Sequence, residues 1–373
     1  MTCQSNRAGL IALGITATLT ALIFIPGCGD TTEQVWSTRN DSAGHAASGW
    51  DPAARAIGEP ISVDLENTGT RASAIELLRQ AVDSTNPLLR ANAIEALQSA
   101  PEELPKVLPA RLADENRGVR FIAVMSVGQH RLTELIPLVL PLVHDEAASV
   151  RAAAIYALHA CGEDVDPTPL ASMLLGEIPE AKANAALILG ELGDDSALPL
   201  LRTAVGRGMS RVSDAQAKII DLQIAEAMVK LGDERELEGI RATLFAPAEQ
   251  GELIALACQM LGRLNDVRAA PNLADLATRA GRREMPAEVR MAATLALAEL
   301  GASAPVEVPL RFAGSTEFSL RAQAAVTLGG IFTSGSSQAL RQLLTDSNPL
   351  VQIAAAGGIL RHSATTGQAR RSS

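Results

Sequence analysis

A basic residue at the head of an alanine-rich helix recurs along this chain about every 31 residues. The series runs LLRANAIEALQSA from Leu88, VRFIAVMSVGQH from Val119, VRAAAIYALHACG from Val150 and AKANAALILGELG from Ala181. It resumes with VRMAATLALAELG from Val289, LRAQAAVTLGGIF from Leu320 and VQIAAAGGILRH from Val351. The anchor residues are Arg90, Arg120, Arg151, Lys182, Arg290, Arg321 and Gln352. Two less regular units, with second helices near 215–231 and 252–264, fill the gap after Lys182 and bring the count to about nine over residues 71–361. A fixed period of this length marks a stacked-repeat architecture. Each unit is too thin to bury its own apolar face, so its neighbours supply the rest of the core.

Each unit reads as two helices. The first is short and begins or breaks near proline, at Pro105, Pro137, Pro167, Pro199 and Pro305. Proline fits the first turn of a helix because its missing N–H would have no partner there. A loop follows that carries an aspartate six residues before the arginine, as at Asp114 and Asp145. Such a carboxylate can accept the backbone N–H groups where the second helix starts. That helix runs about thirteen residues and stops at glycine, a C-terminal cap signal. Composition agrees. The chain is 47% hydrophobic but only 2% aromatic, which suits thin layers of Ala, Leu, Ile and Val packed helix on helix. The fold class is all-α.

The pattern resembles HEAT-like repeats of the short bacterial type, which also occur in phycobilisome lyases, over about three quarters of the chain. The resemblance implies a right-handed α-solenoid of about nine two-helix repeats. It also implies an inter-repeat ladder of Asp and Arg, carried by Asp114, Arg120, Asp145 and Arg151, with Arg90, Arg290 and Arg321 matching only the basic half. Gln352 breaks the column, as a terminal cap with no next neighbour would.

The flanks read differently. Residues 1–27 carry Arg7 and an uncharged apolar run from Ala8 to Ile25, the order of a secretory signal. Gly27 then precedes Cys28, which resembles the bacterial lipobox and implies that Cys28 becomes a lipidated first residue. Pro26 and Ile25 depart from the commoner lipobox residues, and the run approaches the length of an uncleaved membrane anchor. Either way the remainder is expected in the cell envelope, facing the periplasm or the exterior. Residues 28–70 are polar and aperiodic and read as a flexible tether, interrupted by Trp36 and Trp50; 363–373 read as a disordered tail.

Chemistry is sparse. The net charge of −10 and the lack of clustered Lys and Arg before Arg370 and Arg371 argue against nucleic acid. No nucleophile elbow, P-loop, dinucleotide fingerprint or HExxH occurs. Cys161 and Cys258 fall too many repeats apart to bridge. No Cys/His pairing has metal spacing, and His144 beside Asp145 lacks a second histidine one turn on. Deoxyhypusine hydroxylase is a HEAT-repeat enzyme with His-Glu metal motifs, and this chain has no His-Glu pair. No cofactor, metal or catalytic residue is expected. Glu191 and Glu299 read as a solvated face.

One feature suggests binding. At 100° per residue, positions one and five after each anchor point away from the first helix. They hold Phe121 and Met125, Tyr156, Leu187, and Met291 and Leu295. Stacked, these form an apolar stripe, which is either a groove for a partner segment or packing between adjacent second helices. The sequence therefore suggests a membrane-anchored, extracytoplasmic scaffold or adaptor that binds other proteins. The alternatives are a binder of an apolar small molecule or tetrapyrrole, and an accessory subunit of an envelope enzyme.

Overall fold

The computed structural model describes residue 61, residues 69–207 and residues 212–371; the leader, Cys28 and most of the tether lie outside them. The described residues contain eighteen α-helices and no strand. They pair as α1 Thr70–Val82 with α2 Pro87–Leu97, α3 Leu104–Arg111 with α4 Arg117–His130, and α5 Ile136–Val139 with α6 Ala148–Ala160. Next come α7 Thr168–Leu175 with α8 Pro179–Leu192, α9 Leu198–Ala204 with α10 Asp214–Lys230, and α11 Glu236–Thr243 with α12 Gly251–Arg263. The last are α13 Ala270–Thr278 with α14 Ala287–Glu299, α15 Glu307–Phe312 with α16 Phe318–Gly329, and α17 Ser334–Leu343 with α18 Pro349–Arg371. Nine two-helix repeats are thus present, and the all-α solenoid reading holds. The last helix runs on to Arg371, past the point where the sequence suggested a tail.

Local chemistry sets the helix ends. Asn86 and Asn116 accept the backbone N–H groups of Leu88 and Gly118 as N-caps, and Ser213 with Gln216 closes a capping box on α10. Past the second helices, Gly162, Gly193, Gly232 and Gly301 take positive φ, where glycine pays no Cβ penalty. Arg131 and Asn265 hold the same left-handed position without that advantage.

Between repeats the anchor arginines make bidentate pairs with the aspartate of the following loop. Arg90 grips Asp114 at 2.9 and 2.6 Å, Arg120 grips Asp145 at 2.8 and 2.9 Å, and Arg321 grips Asp346 at 2.7 and 2.9 Å. The third guanidinium nitrogen ties down the arginine's own loop; in Arg120 it donates to the carbonyls of Asp114 and Glu115. Each aspartate in turn accepts a loop N–H, from Asn116, Ala147 and Asn348 respectively. Arg90 and Arg321 therefore have their acidic halves, one repeat downstream. Arg151 binds only its own loop carbonyls, of Asp145 and Glu146, because the next loop presents Gly176 in place of the carboxylate. The first helices carry further cross-repeat pairs in Arg79–Glu103, Arg202–Asp233 and Arg241–Asp266.

The second helices stack in chain order from α2 to α18, and α18 then packs against α1 and α2 as well as α16. The solenoid closes on itself. Small rotations accumulated over the repeats bring the last repeat onto the first. Close helix approach assists this curvature. A Cβ on Gly128 would stand 2.8 Å from the Ala157 backbone, and one on Gly329 would stand 2.7 Å from Gly358. The terminal-cap reading of Gln352 is accordingly corrected: its side chain is 2% exposed and faces a neighbour. Its amide donates to the Ile61 carbonyl at 2.9 Å and accepts the Ile61 N–H at 2.7 Å.

Because both partners of the Arg120–Asp145 rung are buried, Arg120→Met strands a carboxylate and is expected to cost about 3–5 kcal/mol in urea unfolding. Adding Asp145→Asn, which keeps an acceptor for the Ala147 N–H, should recover part of that loss. Equal midpoints for the single and double variants would remove the rung from the account of stability.

Candidate interaction surfaces and the inner charged belt

The structure turns the apolar stripe into packing. Phe121, Met125, Tyr156, Met291 and Leu295 are buried and Leu187 is half-buried. Tyr156 lies over Gly128, where a Cβ would come within 2.6 Å of its ring. Burial pushes its phenol up to about 12, with the Glu191 charge acting in the same direction. On a helical wheel these side chains point away from the first helices. In a closed ring of second helices that direction leads into protein. The stripe is therefore no open groove for a partner helix or an apolar ligand.

One to two turns further along the second helices, charged side chains form a belt around the inner edge. Arg263 of α12 chelates Glu226 of α10 through Nη2 at 2.9 and 3.0 Å and through Nε at 3.0 Å. Lys230 donates to Glu191 of α8 at 2.6 Å and lies 3.8 Å from Glu226. Burial works against the Glu226 carboxylate, but Arg263 and Lys230 outweigh it and hold its pKa below the ordinary value. Glu299 of α14 continues the belt between the charges of Arg263 and Arg361, and Arg361 of α18 also feels Glu95 of α2. The reading of Glu191 as a merely solvated face is thus corrected, because its basic partner Lys230 stands on the neighbouring repeat, far off in sequence, whereas Glu299 does reach solvent. Between α2 and α4 the belt turns neutral. Gln98 donates to Ser126, and its carbonyl oxygen lies 2.5 Å from His130 Nε2. Burial lowers the His130 pKa. Among the described residues no three His, Cys, Asp or Glu side chains could hold a metal together, and Cys161 and Cys258 are free thiols.

Large apolar side chains reach solvent elsewhere. Ile178, Val205 and Phe245 are 63%, 43% and 71% exposed. All three lie in the loop from first to second helix, in the consecutive fourth, fifth and sixth repeats. Leu138, Leu140 and Leu310 face out from first helices, and Val267 and Phe332 sit in turns between repeats. The sequence carried a signal for the first group, since each stands where the ladder loops are otherwise polar.

Two stretches, residues 104–179 and 280–359, match the family model of HEAT repeats. The class defined by fold and match is therefore plain: this is an α-solenoid. Its repeating unit is the HEAT repeat in both matched regions. No curated protein matches the chain. Among solved structures, human deoxyhypusine hydroxylase in complex with glycerol is similar at 16% identity, covering 80% of this chain and 99% of that one, with a TM-score of 0.34. An engineered protein is similar at 17% identity over 80% of this chain and 97% of its own, with a TM-score of 0.30.

The belt has a pH signature. Although Glu299 reaches solvent, crowding by the surrounding second helices partly desolvates its carboxyl and raises it above its ordinary 4.5, and the two arginines only partly oppose this. A raised acid favours the folded state below its unfolded pKa, and that contribution is lost as pH rises through the folded pKa. Glu299→Gln is therefore expected to gain melting temperature relative to the parent as pH climbs from 4.5 to neutrality. A difference that stays flat over that range would place Glu299 in ordinary solvent.

Proposed function

We propose that this chain is a HEAT-repeat scaffold that binds other proteins and is held outside the cytoplasm by a lipid on Cys28. The observation that carries the binding role is the row formed by Ile178, Val205 and Phe245. Large apolar side chains left in solvent in the loop between the two helices of three successive repeats support a contact surface there. Phe245 supplies the kind of aromatic anchor that dominates protein interfaces. The leader and the small-residue–cysteine junction support the anchoring role, and the polar stretch after Cys28 would set the ring off from the bilayer by roughly 35 Å.

The two parts are separately testable. Cys28→Ser should release the protein from membranes into the soluble fraction, and continued sedimentation with membranes would refute the lipid anchor. Ile178→Glu with Phe245→Glu should abolish co-purification of the partner from membranes solubilised in mild detergent, with helicity and melting unchanged. Undiminished co-purification of a defined partner by that double variant would move the binding surface elsewhere.

A further inference from the structure

The junction between α18 and the α1–α2 pair is built unlike the charged rungs. No loop links the two sides, although α18 packs on α1 and α2 much as it packs on α16. Both rung positions are neutral. Gln352 stands where other repeats have arginine. Ser84 stands where the next loop should have aspartate, accepting the Asn86 N–H at 3.1 Å as Asp114 accepts that of Asn116 at 2.9 Å. In place of a guanidinium–carboxylate pair, the seam has the Gln352 amide making two hydrogen bonds to the main chain of Ile61, a residue upstream of the repeats. Neutral hydrogen bonds are roughly half as strong as charge-assisted ones. The seam also buries part of a charge. Burial lowers the Arg361 pKa, with Glu299 and Glu95 opposing, so one of its counter-charges belongs to the first repeat.

The two sides of this seam are different surfaces that fit each other. That is the geometry of a heterologous, head-to-tail contact, which closes within one ring or propagates between copies. We infer that the α18 face and the α1–α2 face form a joint that a second copy of this chain can fill, and that the Ile61–Gln352 strap biases the joint towards closure within one chain. The occupant is a second copy because the complementary surface is already present in every copy. Closure in the monomer wins by effective concentration, which is of millimolar order for linked partners. Releasing the strap shifts the balance towards exchange.

Gln352→Met keeps the length of the side chain and removes both hydrogen bonds across the seam, together with a third, to the Leu344 carbonyl within its own repeat. Spin labels at Gln80 on α1 and Arg341 on α17 span the seam, and labels at Gln80 and Ala110 on α1 and α3 span an ordinary junction; all three sites are exposed. In full-length Gln352→Met the seam distance should broaden while the control distance stays fixed. The oligomer-to-monomer ratio by light scattering should rise about tenfold at equal concentration, the scale of two lost neutral hydrogen bonds. A monomer with an unchanged seam distance overturns the inference. Should the variant lose its helicity, the parent protein decides. Chains labelled only at Gln80 are mixed with chains labelled only at Arg341 and warmed below the melting point. Appearance of the seam distance between chains supports the exchange, and its absence after hours overturns it. Neither arm involves the Ile178–Phe245 surface or Cys28, so failure here leaves the scaffold reading intact, and the reverse also holds.

Discussion

A helix pair of this kind cannot bury its own apolar surface, so the junction between neighbouring repeats decides nearly everything else. Second helices such as α4 and α14 are buried on almost every side because neighbours cover both flanks and the first helix covers the back. An open solenoid leaves two such junctions unmade, one at each end, and usually covers them with polar capping repeats. Among the described residues no polar repeat caps the stack. Its last second helix, Pro349–Arg371, is buried from Leu350 to Leu360, and apart from Gln352 that stretch is apolar and packs against neighbours on both sides. Closure is the arrangement in which those residues leave water without dedicated caps.

The charged rungs do a different job from the apolar core. A buried ion pair gives little net stability, because desolvation offsets most of its Coulombic gain. Its geometry, however, is exacting. A guanidinium that grips the next loop's carboxylate through two nitrogens and its own loop's carbonyls through a third tolerates only one spacing between repeats. The Arg90, Arg120 and Arg321 rungs therefore fix register. Where the rung is missing, as after Arg151 and Lys182 and at the seam, register rests on packing and on other polar contacts, such as Arg117–Glu180 and Gln352–Ile61. Arg290 shows a third solution. It turns to Glu284 and the Ala277 carbonyl, because Ser315 stands in the following loop where a carboxylate would be required.

The period, the proline-marked first helices, the glycine stops and half of the ladder were legible in the sequence because all are local. The Asp–Arg relation was read within one repeat, six residues apart, whereas the ion pair spans 24 or 25 residues to the next repeat. Within their own repeats Arg90 and Arg321 face no aspartate six residues upstream; their partners are one repeat on. The stripe was misplaced for a related reason. A helical wheel gives the direction of Phe121 or Met125 relative to its own first helix, but not what occupies that direction. Closure itself was not legible, since it depends on the sum of nine small rotations. At the junctions of Gly128 and Gly329 the helix backbones approach because a side chain is missing, and period alone does not encode that.

Closure also constrains how such a scaffold can work. An open solenoid offers its concave face along the whole length, and partners commonly lie in it. Here the corresponding positions are occupied by side chains packed between second helices and by the charged belt from Glu191 through Arg263 to Arg361. Contact with other molecules is left to the loops on the two rims and to the outer first helices. Exposed apolar residues occur from the third repeat onward, and Ile178, Val205 and Phe245 occupy the loops of the fourth to sixth repeats, across the ring from the seam. A protein bound at Phe245 would sit opposite the strap at Ile61, so a ring could hold a partner on one side while the other side keeps its closing joint undisturbed.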